Sequence, residues 1–596
     1  MDEDAPTRGG GRGAGLTLTE EMNSAMATVT LKLNGQTIQA REGCTILEAA
    51  KEAGVDIPTL CHHPALAGFG ACRMCVVEIA NEKKIHPACT YPVSEGMEVQ
   101  TETPKLVQLR KFVLEMLFSE RNHYCMYCEM SGDCELQNLA YRYGMDKWTY
   151  PSPNERMPVD GSRQYFIMDH NRCVLCRRCV RACDELVGMR TLGVKGRGSE
   201  TMIIADLDVP FGDSSCVSCG TCLQVCPTGA LIDRKSAYGG RNADVTKTKS
   251  ICTFCSVGCD TEVVTRAGRV LRVDGVWDGP TNGVLCAKGR FEPLYDTRDR
   301  VTSPMVRQDG RLVPVTLDEA LDAAAECIAS ANGGGISALA TANAPSECLD
   351  SFVALFRNKL NASPAAIEPL LNGLDLPANG ALADLDSADC IAIVGADPLE
   401  DHPVVGYRIR RARNRGAKVV AVAQNGASPS QLASKGAGAV SVENAVAVCR
   451  SSQWPVVVYG PGVCEDQVGQ IKELAGAAKF LRLDPAANAA YAARMGLANG
   501  SAPTSADVAY VMIGEREQNG EVAQRVANAK RLVVHAAYHG PLTEKADVVL
   551  PAPVWCERDG TYVNLEGRTV SARRVLTPDE DVLPETEVLS RLSARL

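Results

Sequence analysis

Cysteine is the residue type whose spacing in this sequence indicates a chemical function. Nineteen of the 26 cysteines lie between Cys61 and Cys286, in four groups of four and one of three. Short Cys-x-x-Cys spacings bring several thiolates together from one turn, as iron–sulfur clusters require. Disulfides are a weaker interpretation, because 596 residues can bury a large core without them and no secretory signal is visible. Structural zinc would suit an isolated pair, but not the longer repeated pattern described next.

The most specific signal is the pattern Cys-x2-Cys-x2-Cys-x3-Cys, which occurs twice. In bacterial two-cluster ferredoxins the fourth cysteine of each run binds the other cluster. The sequence therefore predicts two [4Fe-4S] clusters with crossed ligands, which we call cluster one and cluster two. Cluster one takes Cys173, Cys176, Cys179 and Cys226, and cluster two takes Cys216, Cys219, Cys222 and Cys183.

Another group contains three cysteines and so lacks one ligand for a [4Fe-4S] cluster. These are Cys125, Cys128 and Cys134, in the stretch RNHYCMYCEMSGDCELQ. His123 is the candidate fourth ligand, because a neutral imidazole can bind iron. We call this the His/Cys3 site. The last group predicts a further [4Fe-4S] cluster, the fifth site, with ligands Cys252, Cys255, Cys259 and Cys286.

The elements before the first group must position it. Thr28–Leu33 and Gln36–Ala40 alternate as strands around an Asn34-Gly35 turn, and Thr45–Ala53 has helical spacing. This order resembles the β-grasp of plant-type ferredoxins, which implies a [2Fe-2S] cluster. Its ligands are Cys61, Cys72, Cys75 and Cys89, whereas Cys44 is expected to be a buried structural thiol.

A helix is expected to connect the [2Fe-2S] site to the His/Cys3 site. Thr103 can cap it and Pro104 suits its first turn. Its predicted apolar face consists of Leu106, Leu109, Val113 and Leu117.

The remaining 310 residues hold six scattered cysteines, and their pattern differs from that of the first part. Apolar runs alternate with Ala-rich helical stretches such as Leu321–Ala331, which predicts parallel α/β layers. The runs are Ile391–Val394, Val419–Val422, Val456–Val458, Val511–Ile513 and Leu532–Val534. No segment has the full dinucleotide fingerprint, so neither NAD nor flavin is assigned to this chain. The net charge of −10 argues against nucleic-acid binding, and no apolar run suits a membrane span.

With these motifs in place, residues 27–302 resemble the large iron–sulfur subunit of bacterial NADH dehydrogenase, respiratory complex I. NAD-dependent formate dehydrogenases share the arrangement, and the diaphorase part of NAD-reducing hydrogenases and iron-only hydrogenases share its first half. The fifth site and the remainder resemble the molybdopterin oxidoreductase superfamily, through Asp389–Val422 and Ala546–Arg568. In the complex I family the cluster histidine usually lies four residues before the first cysteine, where this chain has Arg121; His123 lies two residues before.

The resemblance implies an α+β multidomain chain. The predicted parts are a disordered tail (1–26), a β-grasp [2Fe-2S] ferredoxin-like domain (27–103), a His/Cys3 [4Fe-4S] domain (104–160), a bacterial two-[4Fe-4S] ferredoxin-like domain (161–246), a molybdopterin-oxidoreductase-type [4Fe-4S] domain (247–302) and a truncated molybdopterin-oxidoreductase-like α/β region (303–596). With these parts the chain would carry one [2Fe-2S] and four [4Fe-4S] clusters.

The function expected from the resemblance is an iron–sulfur electron-transfer and scaffold subunit of a multisubunit NAD(P)H-linked oxidoreductase, with no substrate-transforming site of its own. FMN and NAD(P) are expected on a flavoprotein partner, beside a small thioredoxin-like [2Fe-2S] subunit and a further redox subunit linked to quinone, hydrogen, formate or ferredoxin. The expected location is the cytoplasm, or the cytoplasmic face of a membrane through partners. By the same resemblance, the fifth site lies off the main electron path.

The alternative is a catalytic molybdenum or tungsten subunit of formate dehydrogenase type. In such enzymes a metal-binding cysteine or selenocysteine is followed directly by a histidine. None of the six late cysteines has that neighbour. Molybdopterin is therefore not expected in this chain.

Overall fold

The computed structural model describes residues 27–152, 156–331, 335–371, 373–422, 439–499, 506–518 and 520–596. The tail predicted for residues 1–26 lies outside the described residues. The chain divides into two compact units. The first comprises Met1–Ala182, Leu192–Gly212 and Val225–Ile232, and the second comprises Cys183–Thr191, Asp213–Gln224 and Asp233–Leu596.

The first unit begins with a five-stranded sheet that confirms the predicted β-grasp. The first two strands form an antiparallel hairpin whose turn residues, Asn34 and Gly35, both have positive φ. The first strand also pairs in parallel with the last. In sheet order the strands are Gln36–Arg41, Thr28–Leu33, Glu98–Gln100, Val76–Ile79 and Ile85–Pro87. The helix Ile46–Glu52 starts at a capping box between Thr45 and Glu48, and Cys44 is buried in this core.

The predicted connecting helix spans Pro104–Glu120, with the Thr103 hydroxyl accepting a hydrogen bond from the Leu106 N–H at 3.2 Å. Its predicted apolar face was wrong in part. The buried positions are Leu106, Arg110, Leu114, Phe118 and Ser119, and the other three leucine and valine positions are half-buried.

Arg110 is fully buried in that helix although arginine rarely is. Its guanidinium donates to the backbone carbonyls of Met74, Val76 and Thr101 at 3.0, 2.8 and 2.8 Å, and to Glu102 at 2.7 Å. These hydrogen bonds compensate the cost of burying the guanidinium charge. Hydrophobic spacing alone could not predict that an arginine is buried here.

The rest of the first unit is built from short elements around the cysteine loops. Its helical segments are Cys125–Tyr127, Glu135–Arg142, His170–Arg172, Arg178–Arg181, the π-helical turn Ala182–Leu186, Gly198–Glu200 and Phe211–Asp213. The last residues of the π-helical turn and of Phe211–Asp213 belong to the second unit. The strands are Val159–Asp160, Phe166–Asp169 and Leu231–Asp233 in one sheet, and Leu192–Lys195 with Met202–Ala205 in another.

The second unit contains the α/β layers that the sequence predicted. One sheet has eight strands, in the order Arg311–Pro314, Met305–Gln308, Val548–Pro551, Arg531–Ala536, Val508–Gly514, Ile336–Ala340, Ala365–Ala366 and Ala498–Asn499. The other has five parallel strands, in the order Ala439–Val440, Lys418–Val422, Cys390–Val394, Pro455–Tyr459 and Lys479–Arg482. All five predicted apolar runs are strands of these sheets.

Helices cover the sheets of the second unit. The one predicted to end at Ala331 spans Leu317–Ala329, with a capping box between Thr316 and Glu319. The others are Thr221–Gln224, Ala287–Arg290, Glu292–Leu294, Ser346–Val353, Ala354–Lys359, Asp384–Ser387, Pro403–Asn414, Val442–Arg450, Glu465–Lys472, Ala489–Arg494, Gly520–Arg525, Pro541–Lys545 and Glu585–Arg595. The second unit also has two smaller sheets. One consists of the strands Thr246–Ile251, Asp260–Arg266 and Arg269–Gly275, and the other of Gly560–Val563 and Thr569–Ala572.

Candidate iron–sulfur sites

The four cysteines of the [2Fe-2S] site lie in two close pairs. The backbone N–H of Cys61 donates to the Cys72 sulfur at 3.4 Å, and that of Cys72 donates to the Cys61 sulfur at 3.5 Å. The sulfurs of Cys75 and Cys89 are 3.4 Å apart. The Cys72 thiol, hydrogen-bonded to Cys61, lowers the pKa of Cys61 to about 5, against the opposing effect of burial. Backbone donors of this kind stabilise thiolates, the form that binds iron.

Arg181 ties this ligand loop to a neighbouring helix. It donates to the carbonyl of Ala67 at 2.6 Å and to that of Cys61, and its guanidinium lies 5.0 Å from the ring centre of Phe69. Arg181 ends the short helix that also carries Cys179, a predicted ligand of cluster one. Sequence reasoning did not single out this residue.

The His/Cys3 site is a cavity whose lining includes His123, Cys125, Cys128 and Cys134. Burial lowers the pKa of His123 to about 4, although a hydrogen bond to the Leu117 backbone opposes the shift. Its Nε2 is buried without a hydrogen-bond partner among the described residues. A neutral imidazole with an unused ring nitrogen, in a cavity with three thiols, fits a [4Fe-4S] cluster with one histidine ligand.

Gly229 packs directly against this site. A Cβ atom on Gly229 would lie 2.6 Å from the Cys128 sulfur, closer than real Cβ atoms approach. The absence of a side chain therefore lets the backbone approach the ligand. A lone glycine two residues after a Cys-Pro pair carries no sequence signal for this role.

The four predicted ligands of cluster one line a second cavity. Cys173, Cys176, Cys179 and Cys226 share its wall with mainly apolar side chains. The backbone N–H of Leu175 donates to the Cys173 sulfur at 3.4 Å. Burial raises the pKa of Cys173 to about 11 and that of Cys176 to about 12, so metal binding must supply the free energy to deprotonate them.

Each of the two crossed ligand sets lies within one of the two compact units. Cys226 belongs to the first unit with the other three predicted ligands of cluster one, and Cys183 belongs to the second unit with those of cluster two. In the second unit the N–H of Ser218 donates to the Cys216 sulfur at 3.4 Å. The crossed assignment stays a prediction, and this division supports it.

The fifth site is buried in the second unit. The N–H of Cys252 donates to the carbonyl of Cys259 at 2.8 Å. Burial raises the pKa values of Cys252, Cys255 and Cys259, and neighbouring thiolates raise them further. Burial also raises that of Cys286, while the N–H groups of Gly289 and Lys288 oppose this at the start of the helix Ala287–Arg290. Such mutual repulsion is relieved when a cationic iron core binds the thiolates.

Three sites of the first unit share one hydrophobic core. Its buried members include Leu60, Met74, Leu114, Phe118 and Val174. The half-buried cysteines packed against it come from the [2Fe-2S] site, the His/Cys3 site and cluster one, and are Cys72, Cys125, Cys134 and Cys176.

The late cysteines have other surroundings. Cys348 and Cys556 are buried in hydrophobic cores, and the sulfurs of Cys390 and Cys449 lie 3.8 Å apart in a third core. The description of the six as scattered was therefore wrong for that pair. In the described part of the chain no group of three or more His, Cys, Asp or Glu side chains is placed to hold a single metal ion. The predicted ligand sets of the His/Cys3 site and cluster one surround cavities instead.

Five family models match the chain. They are a 2Fe-2S iron-sulfur cluster binding domain (26–104), the NADH-ubiquinone oxidoreductase-G iron-sulfur binding region (110–148), the NADH-quinone oxidoreductase subunit 3 ferredoxin-like domain (165–232), the molybdopterin oxidoreductase Fe4S4 domain (245–294) and molybdopterin oxidoreductase (300–448 and 457–595). The predicted series of domain types is thereby confirmed.

Individual relatives agree with these models. The G 2 subunit of NADH-quinone oxidoreductase from Rhizobium meliloti is 33% identical over 420 residues, 68% of this chain and 48% of that protein. The mitochondrial NADH-ubiquinone oxidoreductase 78 kDa subunit of Neurospora crassa is 29% identical over 591 residues, 92% of this chain and 78% of that protein. The match thus spans less than half of the Rhizobium protein.

Solved structures also align with the chain. A chain of the NAD+-reducing [NiFe]-hydrogenase in the H2-reduced state has 37% identity over 36% of this chain and 91% of that chain, with a TM-score of 0.35. Among the described residues, none of the helices combines the length and apolar composition that a membrane crossing needs.

Proposed function

Since the chain is a homologue of the large iron–sulfur subunit of NADH-quinone oxidoreductases and carries molybdopterin oxidoreductase domains, we propose that it relays single electrons within an NAD(P)H-linked oxidoreductase complex. One observation carries the proposal. His123 and its three cysteines line a single cavity, and the unused Nε2 of His123 completes a four-ligand set. His62, His170 and His402 also have an unpartnered ring nitrogen in the described part of the chain, so the cavity shared with three cysteines is what distinguishes His123.

The cysteines and His123 would hold one [2Fe-2S] and four [4Fe-4S] clusters, which supply one-electron reduction and oxidation when bound. The protein's own contribution is to fix and insulate them. Backbone N–H groups donate to Cys61, Cys72, Cys173 and Cys216, which stabilises the thiolates. Apolar side chains around cluster one keep water away from its ligands.

Hydride chemistry needs a flavin to divide two electrons into single ones. We therefore place FMN and NAD(P) on a flavoprotein partner, with a small thioredoxin-like [2Fe-2S] subunit beside it and a further redox subunit downstream. The surroundings of the late cysteines support a scaffold role for residues 303–596, because Cys348 and Cys556 pack in hydrophobic cores that contain none of the predicted ligands.

Elemental analysis of the purified full-length chain tests this function. We expect about 18 iron atoms per chain, from one two-iron and four four-iron clusters, and neither molybdenum nor tungsten. Stoichiometric molybdenum or tungsten with pterin would instead establish a catalytic formate dehydrogenase-type subunit. Identification of the proteins that co-purify tests the partners, since a soluble or membrane-bound flavoprotein complex is expected.

A further inference from the structure

Arg290 joins the ligand segments of two predicted sites in the second unit. The residue is 2% exposed. Its Nε donates to the carbonyl of Cys219 at 2.9 Å, and its Nη2 donates to Gln224 at 2.7 Å. Arg290 ends the helix that begins directly after Cys286, a ligand of the fifth site, whereas Cys219 is a ligand of cluster two.

Further hydrogen bonds hold the guanidinium in place. Nη1 donates to the carbonyl of Val273 at 3.2 Å and to Asp274 at 3.4 Å, and Nη2 also reaches the carbonyl of Gly283 at 3.4 Å. The planar guanidinium of arginine has five N–H donors in fixed directions, and all five can be used in such an arrangement. The ammonium group of a lysine cannot reproduce it. Arg290 therefore connects the segments that carry Cys219 and Cys286 through the hydrogen bonds of one guanidinium group.

The two segments are also packed closely together. Gly220 follows Cys219 and has a φ of +69°. A Cβ atom at Gly220 would lie 2.4 Å from Cδ of Arg290 and 2.8 Å from Cζ of Phe291. Only glycine suits both this conformation and this separation.

A helix from the back region reaches the same place. Tyr407, in the helix Pro403–Asn414, is 2% exposed. The next residue, Arg408, donates to the carbonyl of Pro280, six residues before Cys286. This helix therefore contacts the segment that leads to a ligand of the fifth site.

The same helix packs on the segment that carries Cys183, the fourth predicted ligand of cluster two. Nδ2 of Asn414 donates to the carbonyl of Gly188 at 2.9 Å, and a Cβ atom on Gly188 would lie 2.7 Å from the backbone nitrogen of Arg411. One helix thus contacts segments that carry predicted ligands of both sites.

We propose that Arg290 and the helix Pro403–Asn414 hold cluster two and the fifth site as one coupled pair, so that the fifth site exchanges electrons with the rest of the chain. This rests on the proposed function. In each exchange one electron leaves the reduced member and reduces the oxidised member, and no bond forms or breaks. The resemblance to complex I implied instead a fifth site off the electron path.

Electron paramagnetic resonance of the full-length, cluster-loaded chain tests the coupling. In the fully reduced protein, two paramagnetic centres held close together broaden each other's signals and speed each other's relaxation. We expect this broadening in the unmodified chain. Because cluster one of the same ferredoxin pair can also broaden the cluster two signal, we expect the broadening to decrease in Cys255→Ser to the part that cluster one contributes. Cys128→Ser, which affects the His/Cys3 site, should leave the broadening in place.

Arg290→Gln tests the positioning residue. We expect iron content to stay unchanged while the broadening of the cluster two signal decreases as in Cys255→Ser, with partial recovery in Arg290→Lys. Arg558→Gln is the matched control, because Arg558 is also a buried arginine of the second unit but bonds Glu515 and Glu585 and no predicted ligand. That variant should keep the broadening.

Two results would overturn the inference. One is a set of narrow, independent signals in the unmodified chain, and the other is broadening of the cluster two signal that is undiminished in Cys255→Ser. If [4Fe-4S] signals are absent altogether, the proposed function fails as well. If all signals are present without interaction, only the coupling is wrong.

Discussion

Buried cysteines occur both in residues 27–302 and in residues 303–596, yet those of the two regions contact different groups. In the first region, His/Cys3 and cluster one cysteines line cavities and several sulfurs accept hydrogen bonds from backbone N–H groups. In the second region they pack among aliphatic side chains. Burial alone therefore does not distinguish a ligand from a core thiol. The neighbouring donors and the space between the sulfurs do.

The largest effect that separates the two regions is expected from Cys219→Ala. This change removes one ligand of cluster two, and a three-thiolate set binds a [4Fe-4S] cluster poorly. We expect a loss of about 4 of the roughly 18 iron atoms per chain, with interrupted electron flow. Iron and sulfide analysis with an electron-transfer assay measures both. Undiminished electron transfer with the cluster gone would show that this ferredoxin pair is not on the path.

A similar loss is expected from His123→Ala if the imidazole is a ligand. His123→Cys should keep the cluster but lower its midpoint potential, because a thiolate adds negative charge where the imidazole was neutral. Redox titration followed by paramagnetic resonance measures the shift. His170→Ala is the matched control, since His170 is also buried but does not line the cavity. Equal effects of the two alanine variants would argue for a general packing role.

A smaller effect is expected from Gly229→Ala. The new methyl group would displace the Cys128 sulfur, so the spectrum of the His/Cys3 cluster should change and its stability to air should fall. Gly469→Ala serves as control, because no atom lies within 4 Å of a Cβ at Gly469, inside the helix Glu465–Lys472. That control should leave all spectra unchanged and stabilise the fold by about 0.5–1 kcal/mol.

The back region should respond to pH through folding rather than through metal binding. Burial lowers the pKa of His535 to about 4, so the folded state cannot take up the proton that the unfolded state binds near pH 6.5. Stability is therefore full above pH 6.5 and falls as the pH drops toward 4. Between pH 7 and 5 this histidine should cost about 2 kcal/mol. Thermal unfolding across that range, with His535→Gln flattening the slope, measures it.

The smallest effect is expected from Cys556→Ala, which should leave the iron content unchanged. Cys556 is a buried core thiol, so iron content and spectra should match the unmodified chain while stability falls by about 1 kcal/mol. A loss of iron in this variant would remove the distinction between the two regions.

The local elements of the fold could be predicted because their signals are contiguous in sequence. The Asn34-Gly35 hairpin, the Thr103 cap and the five buried strands all depend on neighbouring residues. The buried Arg110 could not be predicted, because its partners are carbonyls from another part of the chain. Hydrophobic spacing accordingly placed the helix correctly and its buried face only in part.

Within the sites, spacing was enough to group the cysteines but not to find the residues that support them. Arg181, Gly229 and Arg290 act through contacts with residues 71 to 120 positions away. No short motif marks them, since each is defined by the partner it reaches. The ligand assignments themselves remain predictions until clusters are measured.

The boundary between the two units has a consequence for how this chain can be cut or recombined. The chain crosses between units five times between Ala182 and Asp233. Neither unit is therefore a continuous stretch of polypeptide, and a truncation within this segment would separate Cys226 or Cys183 from its proposed partners. The two cysteine runs should therefore be kept together whenever the chain is truncated or recombined.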